Sequence, residues 1–135
     1  MSQPEFRAKL ALEATISPSE DPEKVAAALA GVVGVPPEKV TVSNSSARLV
    51  TEDPKALVRI RDQLRDRHVR SAARRQMVLN GSGKSTSLML NRQAAAAGVI
   101  AICGTPEESP LGPVYLSIES DRIQAAMDFL VAYPG

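Results

Sequence analysis

The chain has 135 residues, of which 44% are apolar and 23% charged, and its net charge is +1. This is the size and composition of one globular domain, so we expect residues 1–135 to form a single domain rather than a disordered chain. No apolar run approaches the roughly 20 residues that span a bilayer, and the N-terminus lacks the continuous apolar stretch of a signal peptide. One cysteine and one histidine exclude an internal disulfide and a structural zinc site. We therefore expect a soluble cytoplasmic protein that does not bind membranes.

The first 65 residues alternate between strand and helix patterns. Apolar residues at every second position over residues 6–12 predict a half-buried strand. Asp21-Pro22 predicts the capped start of a helix with one apolar face. Residues 40–50 fit either one interrupted strand or two short strands. Asp53-Pro54 predicts the start of a second helix, whose buried stripe is Leu57, Ile60 and Leu64.

The second half predicts further elements in a less regular order. The helical pattern resumes from Val69 to Met77 and stops at residues 80–83, and a strand follows over 87–91. Next come a helical turn over 93–97, a strand buried on both faces over Val99–Cys103 and a loop over 104–113. The last predicted elements are a strand over 114–118 and a helix that begins at Asp121. The predicted order of the main elements is β-α-β-α-α-β-β-β-α, without regular βαβ alternation. We predict an α+β fold in which a single layer of mixed, mainly antiparallel sheet is packed with helices.

The string Asn80-Gly81-Ser82-Gly83-Lys84-Ser85-Thr86 is similar to a nucleotide-binding P-loop but lacks its context. A P-loop has a glycine five residues before its Gly-Lys pair, where this chain has Val78. A P-loop also follows a strand and opens a helix, whereas here a helical pattern precedes the string and a strand pattern follows it. We interpret the segment as a glycine-rich turn and expect no nucleotide hydrolysis. The sequence indicates no cofactor.

Positive charge is concentrated in the middle of the chain. Residues 59–92 carry a net charge of +7, against −2 for residues 1–58 and −4 for residues 93–135. Arginine presents a planar fork that suits phosphate oxygens, and the scarcity of aromatic residues argues against base stacking. The alternative is a solvated face, or arginines paired with the acidic last third. The candidate RNA-binding residues are Arg67, Arg70, Arg74, Arg75, Lys84 and Arg92.

No pattern of nucleophile and base stands out in the sequence. His68 has no serine or cysteine near it in a recognisable nucleophile motif, and Cys103 is expected to be a small buried apolar residue. We therefore expect a protein that is not an enzyme and has no catalytic residues.

Three strings in this chain together resemble the archaeal uncharacterised protein family 0201. They are Arg70-Ser71-Ala72-Ala73-Arg74-Arg75, Thr86 to Ala95, and Ser109-Pro110-Leu111-Gly112-Pro113-Val114, and the resemblance runs through nearly the whole chain. The family is sometimes labelled RNA-binding, so the resemblance implies RNA as a partner. It also implies a fold like that of ribosomal large-subunit protein five, which agrees with the α+β pattern. Lysine is more usual in the family at the position of Arg92, which keeps the charge.

Three functional hypotheses follow. The first is a non-enzymatic module that binds structured RNA through phosphate contacts from the basic helical segment. The second is a protein-interaction module, such as a homodimer whose basic segment docks on an acidic surface. The third, weaker, is binding of a small phosphorylated ligand at the turn from Gly81 to Ser85.

Overall fold

The computed structural model describes residues 6–65 and 69–131. Within these two ranges, five strands and five α-helices follow one another in the order β-α-β-β-α-α-β-α-β-α. Their bounds are β1 Lys9–Thr15, α1 Pro22–Val33, β2 Thr41–Val42, β3 Ser46–Thr51, α2 Pro54–Arg65, α3 Val69–Asn80, β4 Ser85–Leu90, α4 Arg92–Ala96, β5 Val114–Glu119 and α5 Ile123–Val131. Over the described ranges, no helix is long and apolar enough to cross a membrane.

The strands form one five-stranded sheet with β1 at its centre. The strand order is β2-β3-β1-β5-β4, and all neighbouring pairs are antiparallel. The sheet is therefore antiparallel throughout, where the sequence predicted a mainly antiparallel one. Because β1 pairs with β5, the sheet joins two segments from near opposite ends of the chain.

One face of the sheet carries the core. Leu12 lies opposite Leu49 on one side and Leu116 on the other, and Leu116 lies opposite Leu88. All four side chains are at most 4% exposed, because the helices pack against this face. The alternate residues of the same strands face the other way and are exposed or half-buried, so no helix in the described part of the chain covers that face. We call it the open sheet face.

The local signals that predicted the helices are present in the structure. The Asp21 side chain accepts a hydrogen bond from the Glu23 amide at 3.0 Å and caps α1, and Asp53 accepts one from the Lys55 amide at 2.9 Å. The predicted stripe of α2 is buried, with Ile60 fully covered. Residues 40–50 form two strands, β2 and β3, which settles the alternative that the sequence left open.

The prediction of a strand over Val99–Cys103 was wrong. The segment makes a single bridge, between Ile102 and Leu90, and two backbone hydrogen bonds to the end of β4. The Gln76 side chain of α3 occupies the same edge: its oxygen accepts from the Met89 amide at 2.5 Å and its nitrogen donates to the Cys103 carbonyl at 2.6 Å. A side chain thus takes the place of a neighbouring strand along this part of β4, and the edge is protected from pairing with another chain.

Candidate nucleic-acid interface

The glycine-rich string forms a turn between a helix and a strand, as predicted. Helix α3 ends at Asn80, Ser82 and Ser85 exchange backbone hydrogen bonds, and β4 begins at Ser85. Thr86, the last residue of the string and one position beyond the Ser/Thr place of a P-loop, is buried, and its hydroxyl donates a hydrogen bond to the Met77 carbonyl at 2.6 Å. The turn therefore has neither the preceding strand nor the following helix that lets a P-loop hold a phosphate.

Helix α3 presents one stripe of residues to solvent. Its buried side is formed by Ala73 and Met77. Successive exposed positions three and four residues apart lie on one side of a helix; in α3 these are Ser71, Arg74, Arg75, Val78 and Leu79. We call this set the α3 stripe. It combines two arginines at its centre with two apolar side chains at its C-terminal end.

The two central arginines of the α3 stripe are available to a ligand. Arg74 and Arg75 are both exposed, and within the described residues neither has an ion-pair partner. Helix α3 itself has no acidic residue that could neutralise them by local pairing. Two exposed cations on an acid-free helix give this face a positive potential.

The other predicted RNA-binding residues differ in their surroundings. Lys84 is exposed on the turn that follows α3 and lies 3.1 Å from the Asp121 carboxylate, in a pair whose side chains are 70% and 91% exposed. Such a pair is worth little because solvent screens it, so Lys84 remains free to exchange partners. Arg70 is half-buried and has an interaction of its own. Arg67 lies outside the described residues.

Arg92 does not lie on this surface. It is 5% exposed, and its Nη1 donates to both carboxylate oxygens of Glu20 at 2.7 Å. Its Nε donates to the Gly112 carbonyl at 3.0 Å, and its backbone amide donates to the Ser109 hydroxyl at 3.0 Å. In the sequence analysis we grouped Arg92 with the basic segment because of its charge. In the structure, its position directly after β4 places it in the interior.

The surroundings of Glu20 favour its ionised form beside Arg92. Burial by itself would raise the pKa of Glu20, but the hydrogen bond from the Ser17 amide and the Arg92 guanidinium outweigh it, so the pKa lies below its ordinary value. Removing one partner from such a buried pair is costly because it leaves the other charge uncompensated. The pair joins the loop before α1 to α4 and to the loop before β5.

The loop that Arg92 holds contains a strained turn. The Gly112 amide donates to the Ser109 carbonyl at 2.9 Å, with Pro110 and Leu111 between them. Leu111 has φ 69°, so with proline before it the turn is of type II, in which this position favours glycine or asparagine. A leucine in this conformation costs about 1–2 kcal/mol. From the sequence we predicted an ordinary loop here. Pro110 favours the second position of a type II turn, but the leucine at the third position, where glycine or asparagine is usual, does not indicate one.

A recess lies beside Leu111, between α1 and α4. Its volume is about 350 Å³, and its lining includes Val25, Ala28, Ala96 and Leu111. The Arg92–Glu20 pair lies at the same place. Two of the three strings that carry the family resemblance, those containing Arg92 and Ser109, therefore meet here.

The described residues offer little for redox or metal chemistry. Among them, no group of three or more histidine, cysteine or carboxylate side chains is placed to hold a metal ion. Cys103 is buried, as expected; burial, with Glu108 as the lesser cause, raises the pKa of its thiol. A thiol with a raised pKa is a poor nucleophile at neutral pH.

The chain was compared with family models, curated proteins and solved structures. No family model matches it, but individual proteins do. It is 35% identical over 124 residues to a UPF0201 protein of Sulfurisphaera tokodaii, covering 90% of this chain and 86% of the relative, and 27% identical over 124 residues to one of Sulfolobus acidocaldarius, with the same coverage.

Two crystal structures of UPF0201 proteins share the fold. One has a TM-score of 0.76 at 20% identity and covers 94% of this chain and 97% of that one. The other, from Methanococcus jannaschii, has a TM-score of 0.72 at 20% identity and covers 94% and 96%. The likeness to ribosomal large-subunit protein five stays a prediction. The identity to the Sulfurisphaera protein, over nearly the whole length of both chains, shows that this chain belongs to the UPF0201 family.

Proposed function

We propose that this protein is a non-enzymatic module that binds structured RNA, with α3 lying against the phosphate backbone. The observation that carries the proposal is that Arg74 and Arg75 are exposed and have no ion-pair partner among the described residues. Unpaired arginines can form charge-assisted hydrogen bonds to phosphate without first breaking a protein contact.

Neighbouring cations extend the same surface. Lys84 follows α3 directly on the turn, and its pairing with Asp121 is solvent-exposed. Arg70, one turn before Arg74, adds a half-buried guanidinium. Few aromatic residues are present for stacking on bases, so contacts to phosphates and to helical shape are favoured over base readout.

A second candidate function is docking of another protein on the same α3 stripe. Val78 is 63% exposed and Leu79 is 77% exposed, and both adjoin the arginines. Phosphates gain nothing from such apolar side chains, whereas an acidic protein surface with an apolar centre would cover them. The two candidates therefore differ in which half of the stripe contributes to binding.

The test is fluorescence anisotropy with a labelled RNA hairpin at several salt concentrations. Contacts to about three or four phosphates give a log–log slope of roughly −2 to −4. Arg74→Gln with Arg75→Gln should weaken binding to all hairpin sequences about equally, because phosphate contacts carry no base information. Val78→Ser with Leu79→Ser should leave RNA affinity nearly unchanged.

The matched control removes two positive charges elsewhere. Lys9→Gln with Arg48→Gln changes exposed cations on the open sheet face and lowers the net charge by the same amount. An equal loss of affinity in this control would show that the net charge attracts RNA without a defined site. The absence of salt-dependent RNA binding by the parent protein would refute the proposal.

A further inference from the structure

The structure displays an apolar side chain on a backbone that disfavours it. Leu111 is 54% exposed and has a positive φ of 69°. Backbone strain of this kind persists where the surroundings enforce it, and it occurs preferentially at functional sites. Here the surroundings enforce it strongly: the Gly112 carbonyl accepts from both Arg92 Nε and the Ser109 hydroxyl, each at 3.0 Å.

The recess beside Leu111 has the size to accommodate a leucine side chain from a second copy. Its walls include the apolar residues Val25, Ala28, Ala96 and Pro110, and its volume of about 350 Å³ is ample for a leucine side chain. A projecting apolar group and a partly apolar recess thus lie side by side on one surface, with Leu111 itself forming part of the recess wall. In a two-fold interface the same patch meets itself, so a projection of one copy faces the recess of the other.

The charges around the recess fit a second copy better than an anionic ligand. Arg92 and Glu20 neutralise each other, and the rim carries one exposed base, Lys24, and one exposed acid, Asp21. The patch therefore has no net charge, and two-fold symmetry allows the base of each copy to approach the acid of the other. Charge complementarity of this kind selects a partner and its orientation.

We propose that the chain forms a two-fold homodimer in which Leu111 of each copy inserts into the recess between α1 and α4 of the other. The Arg92–Glu20 pair acts as a positioning element, since it holds the turn that presents Leu111. This surface is distinct from the α3 stripe, so the proposal does not depend on RNA binding.

The first test is sedimentation equilibrium over about a hundredfold range of protein concentration, because dimerisation follows mass action. The parent protein should shift between the monomer mass and twice that mass. Leu111→Asn should weaken association at least tenfold. At protein concentrations where the parent is monomeric, the melting temperature of this variant should be equal to or higher than that of the parent, since asparagine tolerates the left-handed conformation. Arg92→Lys should weaken association less than Leu111→Asn.

The second test fills the recess and uses a control on the far side of the molecule. Ala96→Arg, at an exposed position on the wall, should abolish association. Ser117→Arg adds the same group at an exposed site on the open sheet face and should have no effect. Mixing Leu111→Asn with Ala96→Arg leaves one intact projection and one intact recess, so the mixture should associate more tightly than Ala96→Arg alone.

Three outcomes would overturn the proposal. They are a parent protein that stays monomeric over the whole range, a dimer that survives both Leu111→Asn and Ala96→Arg, and a dimer that is lost in Ser117→Arg but retained in Ala96→Arg. The last would assign association to the open sheet face instead. Fluorescence anisotropy with the labelled RNA hairpin, measured on the same variants, tests RNA binding independently. A failure of the dimer proposal can therefore be distinguished from a failure of the proposed function.

Discussion

At the residue scale, the most consequential interaction is the ion pair between Glu20 and Arg92. The side chains are 10% and 6% exposed, and the two residues are 72 positions apart in the sequence. A buried pair of this kind contributes less to net stability than to the choice of one arrangement, because desolvation offsets much of the attraction. Its value here lies in fixing the loop before β5 relative to α1.

This pair predicts a pH dependence of stability. Because the pKa of Glu20 is lower in the folded protein than in the unfolded chain, the ionised carboxylate stabilises the fold. The contribution is fully present above the unfolded pKa of Glu20 and is lost as the pH falls through its folded pKa. Denaturant unfolding should therefore show Glu20→Gln to be less stable than the parent protein by about 3 kcal/mol at neutral pH.

The difference between the two proteins should shrink as the solution is acidified, since a protonated Glu20 and the glutamine of the variant both leave Arg92 without a charged partner. Glu38→Gln, which removes an exposed carboxylate, serves as the control and should cost less than about 0.5 kcal/mol. A difference between the parent and Glu20→Gln that stays constant down to strongly acidic pH would contradict the role given to this pair.

At the element scale, α3 and β4 are held together by side chains as well as by packing. Gln76 bonds the Met89 amide and the Cys103 carbonyl, Thr86 bonds the Met77 carbonyl, and Asn80 donates to the Ser87 carbonyl at 3.1 Å. Two of these contacts, those to the Met89 amide and the Ser87 carbonyl, satisfy main-chain groups of edge strand β4 that would otherwise be open to pairing. The α3 stripe is thereby held on a rigid support.

We expect Gln76→Leu to destabilise the protein by about 2 kcal/mol or more, because it leaves a partly buried amide and a partly buried carbonyl without partners. Hydrogen exchange should locate the change at the Met89 amide, which should exchange at least tenfold faster. Gln124→Leu is the matched control: Gln124 is exposed and bonds only the exposed Asp128 carboxylate among the described residues. Unchanged protection at Met89 in Gln76→Leu would show that packing alone holds this edge.

At the scale of the whole molecule, the sheet makes folding depend on contacts between distant parts of the chain. Leu10 in β1 lies opposite Ile118 in β5, and β1 is bordered on its other side by β3. The sheet can be completed on both sides of β1 only after β5 is available, since β5 borders β1 and joins β4 to it. Edge strand β2, by contrast, has two residues, both exposed.

Native-state hydrogen exchange should reflect this topology. The paired amides of β1 and β5 should exchange only through global unfolding and share one free energy, whereas those of β2 should exchange through local opening at a much lower one. Measuring exchange at increasing denaturant concentration separates the two classes. Protection in β5 that is lost well before protection in β1 would mean that the sheet opens in parts.

Sequence patterns predicted the local features well. The Asp21 and Asp53 caps, the buried stripe of α2 and the helix–turn–strand context of the glycine string all depend on residues within a few positions of one another. Hydrophobic periodicity and capping are short-range signals, so one chain segment suffices to carry them.

Tertiary structure alone decided the rest. The sequence by itself determined which residues are charged or apolar and which segments become helices, but not which charges meet. Arg92 is buried because Glu20, 72 positions away, is carried to it by the fold, and Val99–Cys103 is not a strand because the Gln76 side chain already occupies part of the edge of β4. Such outcomes depend on competition between distant groups for the same partner, and a linear pattern contains no record of distance in space.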